Sequence, residues 1–267
     1  MNLDALDQGF AALCRVVYDT LGLRLEAYRG RQLERRLHFF RRRHNIADNA
    51  ELARRLRNDS ELQQVFADFL TINVTEFFRN PERFEALRLR HLPALLRERQ
   101  PLRIWSAGCS NGAELYSVAM LLAELTPGMK HELLGTDIDE NSLNQARRGV
   151  YSAQEIQTVP PSFRRYFTES GEGSLAIERR LRSMARFEYH DLLRDAYPSD
   201  QDLVLCRNVA IYFTEESKAR LHGQLAESLR PGGILVIGAT ESIFRAKAYG
   251  LRYLEPGFYE RVMRHNE

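Results

Sequence analysis

Four blocks of the chain carry side chains suited to holding and attacking a small charged ligand. The first is Thr71-Ile72-Asn73-Val74-Thr75-Glu76-Phe77-Phe78-Arg79. The second, Ala107-Gly108-Cys109-Ser110-Asn111-Gly112, follows the apolar run Leu102-Arg103-Ile104-Trp105-Ser106 and precedes a helix that starts near Glu114. The third is Gly135-Thr136-Asp137-Ile138-Asp139 and the fourth runs from Cys206 to Phe213. A strand, a glycine turn and a helix N-terminus make a nucleotide-type site, because the turn lets a ligand approach the backbone at the carboxyl ends of the strands. Gly108-x-x-x-Gly112 is not G-x-G-x-x-G, and no Gly-Lys-Ser/Thr follows it, so it is not a phosphate loop. Asp137 lies about 25 residues past Gly112, near the spacing at which a carboxylate reaches ribose hydroxyls. The pair fits NAD or S-adenosylmethionine. Asp137 also stands where a helix cap could form, with Glu140 at capping-box spacing. Asp139 is the better cap, which leaves Asp137 for the ribose.

These blocks need elements to position them. Residues 3–70 read as helices, with apolar side chains at helical spacing in Leu33, Leu37 and Phe40 and in Leu62, Val65, Phe66, Phe69 and Leu70. Asn58-Asp59-Ser60 is a cap signal before the second group. Asn80-Pro81 breaks the pattern, and a helical linker runs to about Arg99. From Leu102 strands and helices alternate, with strands predicted at 102–106, 132–136, 202–206 and 233–238 and helices near 113–125, 139–147 and 215–229. That rhythm predicts a mostly parallel sheet with helices on both faces. Phe258–Met263 reads as a final antiparallel strand. Residues 168–190 interrupt the rhythm, and Ser174–Ile177 and Ala185–Tyr189 read as short antiparallel strands. The predicted division is 1–79 helical, 80–99 linker and 100–267 α/β, with an inserted β-subdomain at about 168–190.

The chain has 267 residues and is 44% hydrophobic, enough for one large or two smaller cores. A net charge of +2 argues against a general polyanion binder. The charge is unevenly spread: residues 29–43 hold seven arginines against one acid, Glu34. Arg31, Arg35 and Arg42 fall opposite the Leu33, Leu37 and Phe40 stripe. That face is either merely solvated or a dock for an acidic partner helix. Cys14, Cys109 and Cys206 form no C-x-x-C pair, so neither a zinc site nor a disulfide framework is expected, and reduced thiols fit a cytoplasmic protein. Asp4 and Asp7 argue against a signal peptide, and no apolar run approaches the roughly 20 residues of a membrane helix.

In order and extent the four blocks resemble the chemotaxis receptor glutamate methyltransferases, the CheR family. The resemblance implies a Rossmann-like class I S-adenosylmethionine-dependent methyltransferase sheet, an N-terminal all-helical domain and a small inserted antiparallel β-subdomain. It implies that Asn73, Thr75 and Arg79 sit over the cofactor and the reacting centre. Glu114 should contact the cofactor's amino-acid end and Asp137 the ribose. Asp191 and Leu192 should flank the adenine, and Asn208 and Val209 should line the remaining wall. Arg79 and Tyr212 match the family's active-site arginine and tyrosine. Three departures stand out. The family turn Ser-Thr-Gly-Glu-Glu-Pro-Tyr-Ser reads here Ser110-Asn111-Gly112-Ala113-Glu114-Leu115-Tyr116-Ser117, which keeps the glutamate expected at the cofactor. Asp191 replaces asparagine; a carboxylate accepts from the adenine amino group but cannot donate to a ring nitrogen, a task left to the N–H of Leu192. Gly238-Ala239-Thr240-Glu241 replaces Gly-His-Ser-Glu.

The implied reaction moves a methyl group to a glutamate oxygen. Glutamate ionises with a reference pKa of about 4.3, so no general base is needed, in keeping with the absence of a His/Asp or Cys/His constellation. The implied partner is the acidic helical bundle of a chemoreceptor, with the basic 29–43 helix steering it. The segment Thr168–Leu175 looks shorter than in members that bind a receptor-tail peptide by strand addition, so independence from that peptide is expected. A monomer is expected, with no nucleic-acid partner and no membrane insertion. A nucleic-acid methyltransferase is the first rival, but Arg207-Asn208-Val209 stands where Asp/Asn-Pro-Pro-Tyr/Phe is needed. A non-catalytic sensor of the cofactor conflicts with the presence of both Arg79 and Tyr212. A small-carboxylate methyltransferase leaves the basic helical domain unexplained, and the glycine pattern is wrong for a dinucleotide oxidoreductase.

Overall fold

The computed structural model describes residues 3–28, 30–70, 75–171 and 173–262, without the side chains of residues 3–8 and 31. Asn73 therefore lies outside the described residues, and Arg31 is placed by its backbone alone. Two compact units are present: Met1–Ile72 with Tyr212–Lys218, and Asn73–Ile211 with Ala219–Glu267.

The smaller unit is built on α1 (Leu3–Leu21), α2 (Gly30–Arg43), α3 (Asn49–Asn58) and α4 (Ser60–Leu70). The starts of α3 and α4 have local causes. The Asp48 carboxylate accepts from the N–H of Glu51 at 2.8 Å, and Glu51 reaches back to the N–H of Ala47 at 2.7 Å, closing the entrance to α3. Asp59 accepts from the N–H of Leu62 at 2.9 Å and starts α4, as its sequence position suggested. On α2 the stripe Leu33, Leu37 and Phe40 is buried while Arg35 and Arg42 are exposed. The Phe40 ring packs 4.8 Å from Phe66 and 5.0 Å from Phe69, centroid to centroid. Residues 212–218 belong to this unit. Phe213 bridges Tyr28 through its backbone with the two rings 5.5 Å apart, and the N–H of Thr214 donates to Ala27 O at 2.8 Å.

In the larger unit a helical stretch, α5 (Pro81–Ala86), a π-helical turn Leu87–His91 and α6 (Leu92–Glu98), leads into the sheet. The strands are β1 (Arg103–Ala107), β2 (Glu132–Asp137), β3 (Val150–Ser152), β4 (Phe167–Glu169), β5 (Ser174–Ile177), β6 (Ala185–Tyr189), β7 (Gln201–Cys206), β8 (Leu229–Ile237), β9 (Leu251–Glu255) and β10 (Phe258–Arg261). The helices between them are α7 (Ala113–Leu125), α8 (Glu140–Arg148), the single turn α9 (Arg179–Arg182) and α10 (Glu215–Ser228). Seven strands form one sheet in the order β6-β2-β1-β7-β8-β10-β9, parallel from β6 to β8 and antiparallel at β10 and β9. Strand β7 is buried at every position, as a central parallel strand covered on both faces must be. Order and direction are those of a Rossmann-like sheet with an antiparallel edge. Among the described residues no helix is long and apolar enough to cross a membrane.

Two expectations need correction. Ala185–Tyr189 does not pair with Ser174–Ile177; it is the parallel edge strand β6, matched to β2 from Leu133↔Ala185 to Asp137↔Tyr189. Strand β5 pairs with β3 and β4 instead, in a separate three-stranded antiparallel sheet. Alternation in a five-residue run shows that it is a strand and says nothing of its partner. What seats β6 is Phe187: a Cβ built on Gly135 would lie 2.6 Å from its ring, so the glycine in β2 makes room for it. The second correction is β9, which the sequence reading omitted. It forms a hairpin with β10 across Pro256-Gly257.

Candidate functional site

Strand β1 ends in a turn that only glycine tolerates. Gly108 has φ +80, and a Cβ built on it would lie 2.5 Å from Val209 Cγ2. Gly108 and Val209, assigned to the site separately, are thus packed together. The N–H groups of Gly108 and Cys109 donate to Thr136 O at 2.8 and 2.9 Å, which ties the turn to the end of β2. Ser110 and Gly112 are also left-handed, at φ +49 and +83, and Gly112 caps α7. The Ser110 hydroxyl is buried without a hydrogen-bond partner among the described residues.

Asp137 is 8% exposed and joins this turn directly. Its Oδ2 accepts from the N–H of Ser110 at 2.8 Å and its Oδ1 from the N–H of Asp139 at 3.0 Å. Burial pushes its pKa up and these backbone donors oppose the rise. Ile138 contributes a further backbone hydrogen bond to the same carboxylate. The cap of α8 is Asp139, which accepts from the N–H of Asn141 at 2.9 Å and from Ser142 Oγ at 2.8 Å.

Glu114, in the first turn of α7, is fixed at both oxygens. Ser106 Oγ donates to Oε1 at 2.9 Å and Arg207 Nη1 donates to Oε2 at 3.0 Å. Arg207 follows β7 directly. Asn208 is left-handed at φ +60, and its N–H donates to Glu241 Oε2 at 2.8 Å, beside the N–H of Gly238 at 2.7 Å. Burial raises the pKa of Glu241, and those two N–H groups work against it. On the far side of β2, Asp191 closes a turn by accepting from the N–H of Leu193 at 2.8 Å. Leu192 O accepts from the Tyr197 hydroxyl at 2.6 Å, while the N–H of Leu192 has no acceptor among the described residues.

Thr75 is half-buried, and Phe77 and Phe78 behind it are buried. The Phe77 ring packs 4.8 Å from Tyr151 and 5.3 Å from Phe167. Phe78 and Asn80 are left-handed at φ +53 and +61, so Arg79 sits between two strained positions. Tyr212 belongs to the smaller unit, where it lines a small pocket with Tyr28, Gln32, Leu33, Arg36 and Leu70. Arg36 turns inward from α2 over the Phe69 ring, 4.8 Å from its centroid, and hydrogen-bonds Phe69 O; burial lowers its pKa.

The larger unit therefore gathers Gly108, Glu114, Asp137, Asn208 and Val209 along the carboxyl edges of β1, β2 and β7, with Asp191 and Leu192 just beyond β6. Sequence reading missed Arg207, Glu241 and Arg36. Glu241 had a signal, its place just after β8, but nothing local marks a buried arginine. No group of three or more His, Cys, Asp or Glu among the described residues could hold a metal ion.

The set fits S-adenosylmethionine: the carboxylates of Glu114 and Asp137 stand at the ends of the strands, and Ser110 Oγ and the N–H of Leu192 are polar atoms without partners among the described residues. Comparison with known proteins agrees. The family model described as "CheR methyltransferase, SAM binding domain" matches residues 73–252, and "CheR methyltransferase, all-alpha domain" matches residues 8–71. A chemotaxis protein methyltransferase of Listeria monocytogenes is 39% identical over 257 residues, covering 95% of this chain and 97% of its own. Chemotaxis protein methyltransferase 1 of Pseudomonas aeruginosa is 34% identical over 239 residues, covering 84% and 86%. One from Borreliella burgdorferi is 29% identical over 275 residues, covering 98% and 96%. The chain belongs to the CheR family of S-adenosylmethionine-dependent chemotaxis methyltransferases.

Proposed function

We propose that this enzyme methylates glutamate side chains of chemoreceptors, forming γ-methyl esters. The observation that carries the reading is the cationic face of α2: Arg35 and Arg42 are exposed opposite a buried apolar stripe. A small carboxylic acid needs no such face, whereas an acidic helical bundle is steered by it. Arg31 extends the face by its place on the helix.

Bound S-adenosylmethionine supplies an electrophilic methyl group on a sulfonium. The protein's part is positioning and water exclusion. Glu114 holds the ammonium end, Asp137 the ribose hydroxyls, and Asp191 with the N–H of Leu192 the adenine edge. Asn73, Thr75, Asn208 and Val209 complete the walls. Arg79 orients the substrate carboxylate by a charge-assisted hydrogen bond, and Tyr212 keeps the catalytic role that its motif implies. The carboxylate is already ionised, so no residue needs to remove a proton. Opposite charges cancel as the methyl moves, so a dry pocket favours the transition state and the in-line geometry supplies most of the rate.

The β4–β5 connection is tight, with the N–H of Ser174 donating to Gly171 O at 2.8 Å. This supports an enzyme that does not depend on a receptor-tail peptide; that the enzyme is cytoplasmic and monomeric belongs to the same reading. Tight, saturable calorimetric binding of such a peptide would sink that part. The main test is transfer of radiolabel from S-adenosylmethionine to a chemoreceptor cytoplasmic fragment. Label released as methanol by mild base, and lost in Arg79→Ala, is the expected result. Cofactor binding without base-labile label on the fragment refutes the substrate assignment.

A further inference from the structure

We propose that Arg207 is a positioning residue that locks Glu114 and the backbone of Arg79 into one frame, so that cofactor binding and substrate orientation depend on a single buried guanidinium. The inference rests on the roles given above to Glu114 and Arg79.

Arg207 is the first residue beyond β7, and its side chain is 3% exposed. A buried guanidinium is costly unless its donors are taken up. Here Nε has no partner among the described residues, and the uptake by Nη1 and Nη2 is divided among separate parts of the chain. Nη1 donates to Glu114 Oε2 at 3.0 Å, while Nη2 donates both to Arg79 O and to Asn80 Oδ1 at 2.7 Å. The guanidinium carbon lies 5.5 Å from the centroid of the Phe84 ring, which covers one face. One planar group thus joins the start of α7, the turn at 79–80 and, through its own backbone, the Asn208-Val209 wall.

Two features of the turn make this more than packing. Phe78 and Asn80, on either side of Arg79, are left-handed at φ +53 and +61. Such residues persist only where the surroundings over-determine them. The bonds from Nη2 to Arg79 O and Asn80 Oδ1 supply part of that constraint, and another is the bond from the N–H of Phe78 to Ser117 Oγ on α7 at 3.0 Å. Glu114 is held likewise, since Ser106 Oγ takes Oε1 and Arg207 takes Oε2, which fixes the rotamer and the direction of the remaining lone pairs. A lysine keeps the charge but cannot serve two acceptors with a rigid fork.

Arg207→Lys tests this with two readouts. Calorimetric binding of S-adenosylhomocysteine uses no acceptor protein, so it stays decisive even if the glutamate substrate is wrong. Affinity is expected to fall about 10-fold, through disordering of Glu114. The loss should shrink to under about threefold when Glu114→Gln is already present, because contacting residues are coupled. In methyl transfer, kcat should fall about 100-fold, the scale of a misplaced orienting group. That fall should not add to the fall caused by Arg79→Ala. A purely structural role predicts equal losses in every background, and that result overturns the proposal, as does unchanged affinity in Arg207→Lys. If Arg207→Lys does not fold, Asn80→Ala removes one acceptor and leaves no buried charge unpaired. It should lower kcat about 10-fold, again only while Arg79 is present. Wild-type kcat in Asn80→Ala overturns the link to Arg79.

Discussion

The two ends of the same parallel strands hold buried acids differently, the Glu114–Arg207 pair at the carboxyl ends apart. At the amino ends, charges close on one another. Asp202, fully buried at the start of β7, accepts from the N–H of Arg103 at 2.7 Å and pairs with Arg230, which also reaches Glu98 at 3.0 Å. Asp200 joins Arg99 at 2.9 Å and Arg103 at 3.0 Å. At the carboxyl ends, Asp137 and Glu241 are held by backbone N–H groups, and burial leaves both with raised pKa values. Left-handed backbone also gathers there, at Phe78, Asn80, Gly108, Ser110, Gly112 and Asn208. Asp202 is taken up at both oxygens, although Arg230 Nη2 has no partner among the described residues, and such a network mainly stabilises. One that keeps lone pairs and orphaned groups, such as Ser110 Oγ, is set up for a ligand.

Substitutions at the two ends should therefore separate binding from stability. The largest effect is expected for Gly108→Val, where the backbone is left-handed and the new side chain meets Val209. Calorimetry should show S-adenosylhomocysteine affinity down by at least about 100-fold. Retained affinity would break the assignment of the turn to the cofactor. Asp202→Ala comes next. Arg230 is left without its buried partner, so urea unfolding should show a loss of about 3 kcal/mol, with unchanged affinity per folded molecule. Its counterpart Asp137→Asn should weaken binding about 10-fold, with a smaller stability loss of about 1 kcal/mol because the amide NH2 faces one of the two backbone N–H groups. If both variants lose stability and affinity alike, the contrast between the ends is wrong. Gly128→Ala, in the loop before β2, has φ +91 but open space around the new Cβ, so it should cost only about 1 kcal/mol and leave binding alone.

The smallest effect is graded with pH. The N–H of Leu102 donates to His131 Nδ1 at 3.0 Å, so the ring proton sits on Nε2, facing Thr126 Oγ1 at 2.8 Å. Burial lowers the pKa of His131, with Asp202 partly opposing. The unfolded chain then takes up the proton more readily than the folded one. Stability is full above the free-histidine value of about 6.5 and is lost as pH falls through the lower folded value. His91, also lowered by burial, acts in the same direction. The urea midpoint should drop on acidification through this range, and less so in His131→Gln.

Much of this was written in local sequence. The α2 stripe, the caps Asp59 and Asp139, the strand–glycine–helix unit and the acid after β2 are short-range patterns, and helical spacing and cap chemistry act within a few residues. The Arg79 and Tyr212 motifs likewise identified the family from the chain alone. Tertiary structure decided which sheet received β6, because the space for Phe187 comes from a glycine in another strand. It decided that Asp137 is tied into the turn after β1 rather than simply exposed at a strand end. It also decided that Arg36 and Arg207 turn inward while Arg35 and Arg42 face water. An arginine is drawn inward, partly as at Arg36 or fully as at Arg207, only where distant acceptors and an aromatic face offset its desolvation, and those partners are more than 30 residues away for Arg36 and more than 90 for Arg207.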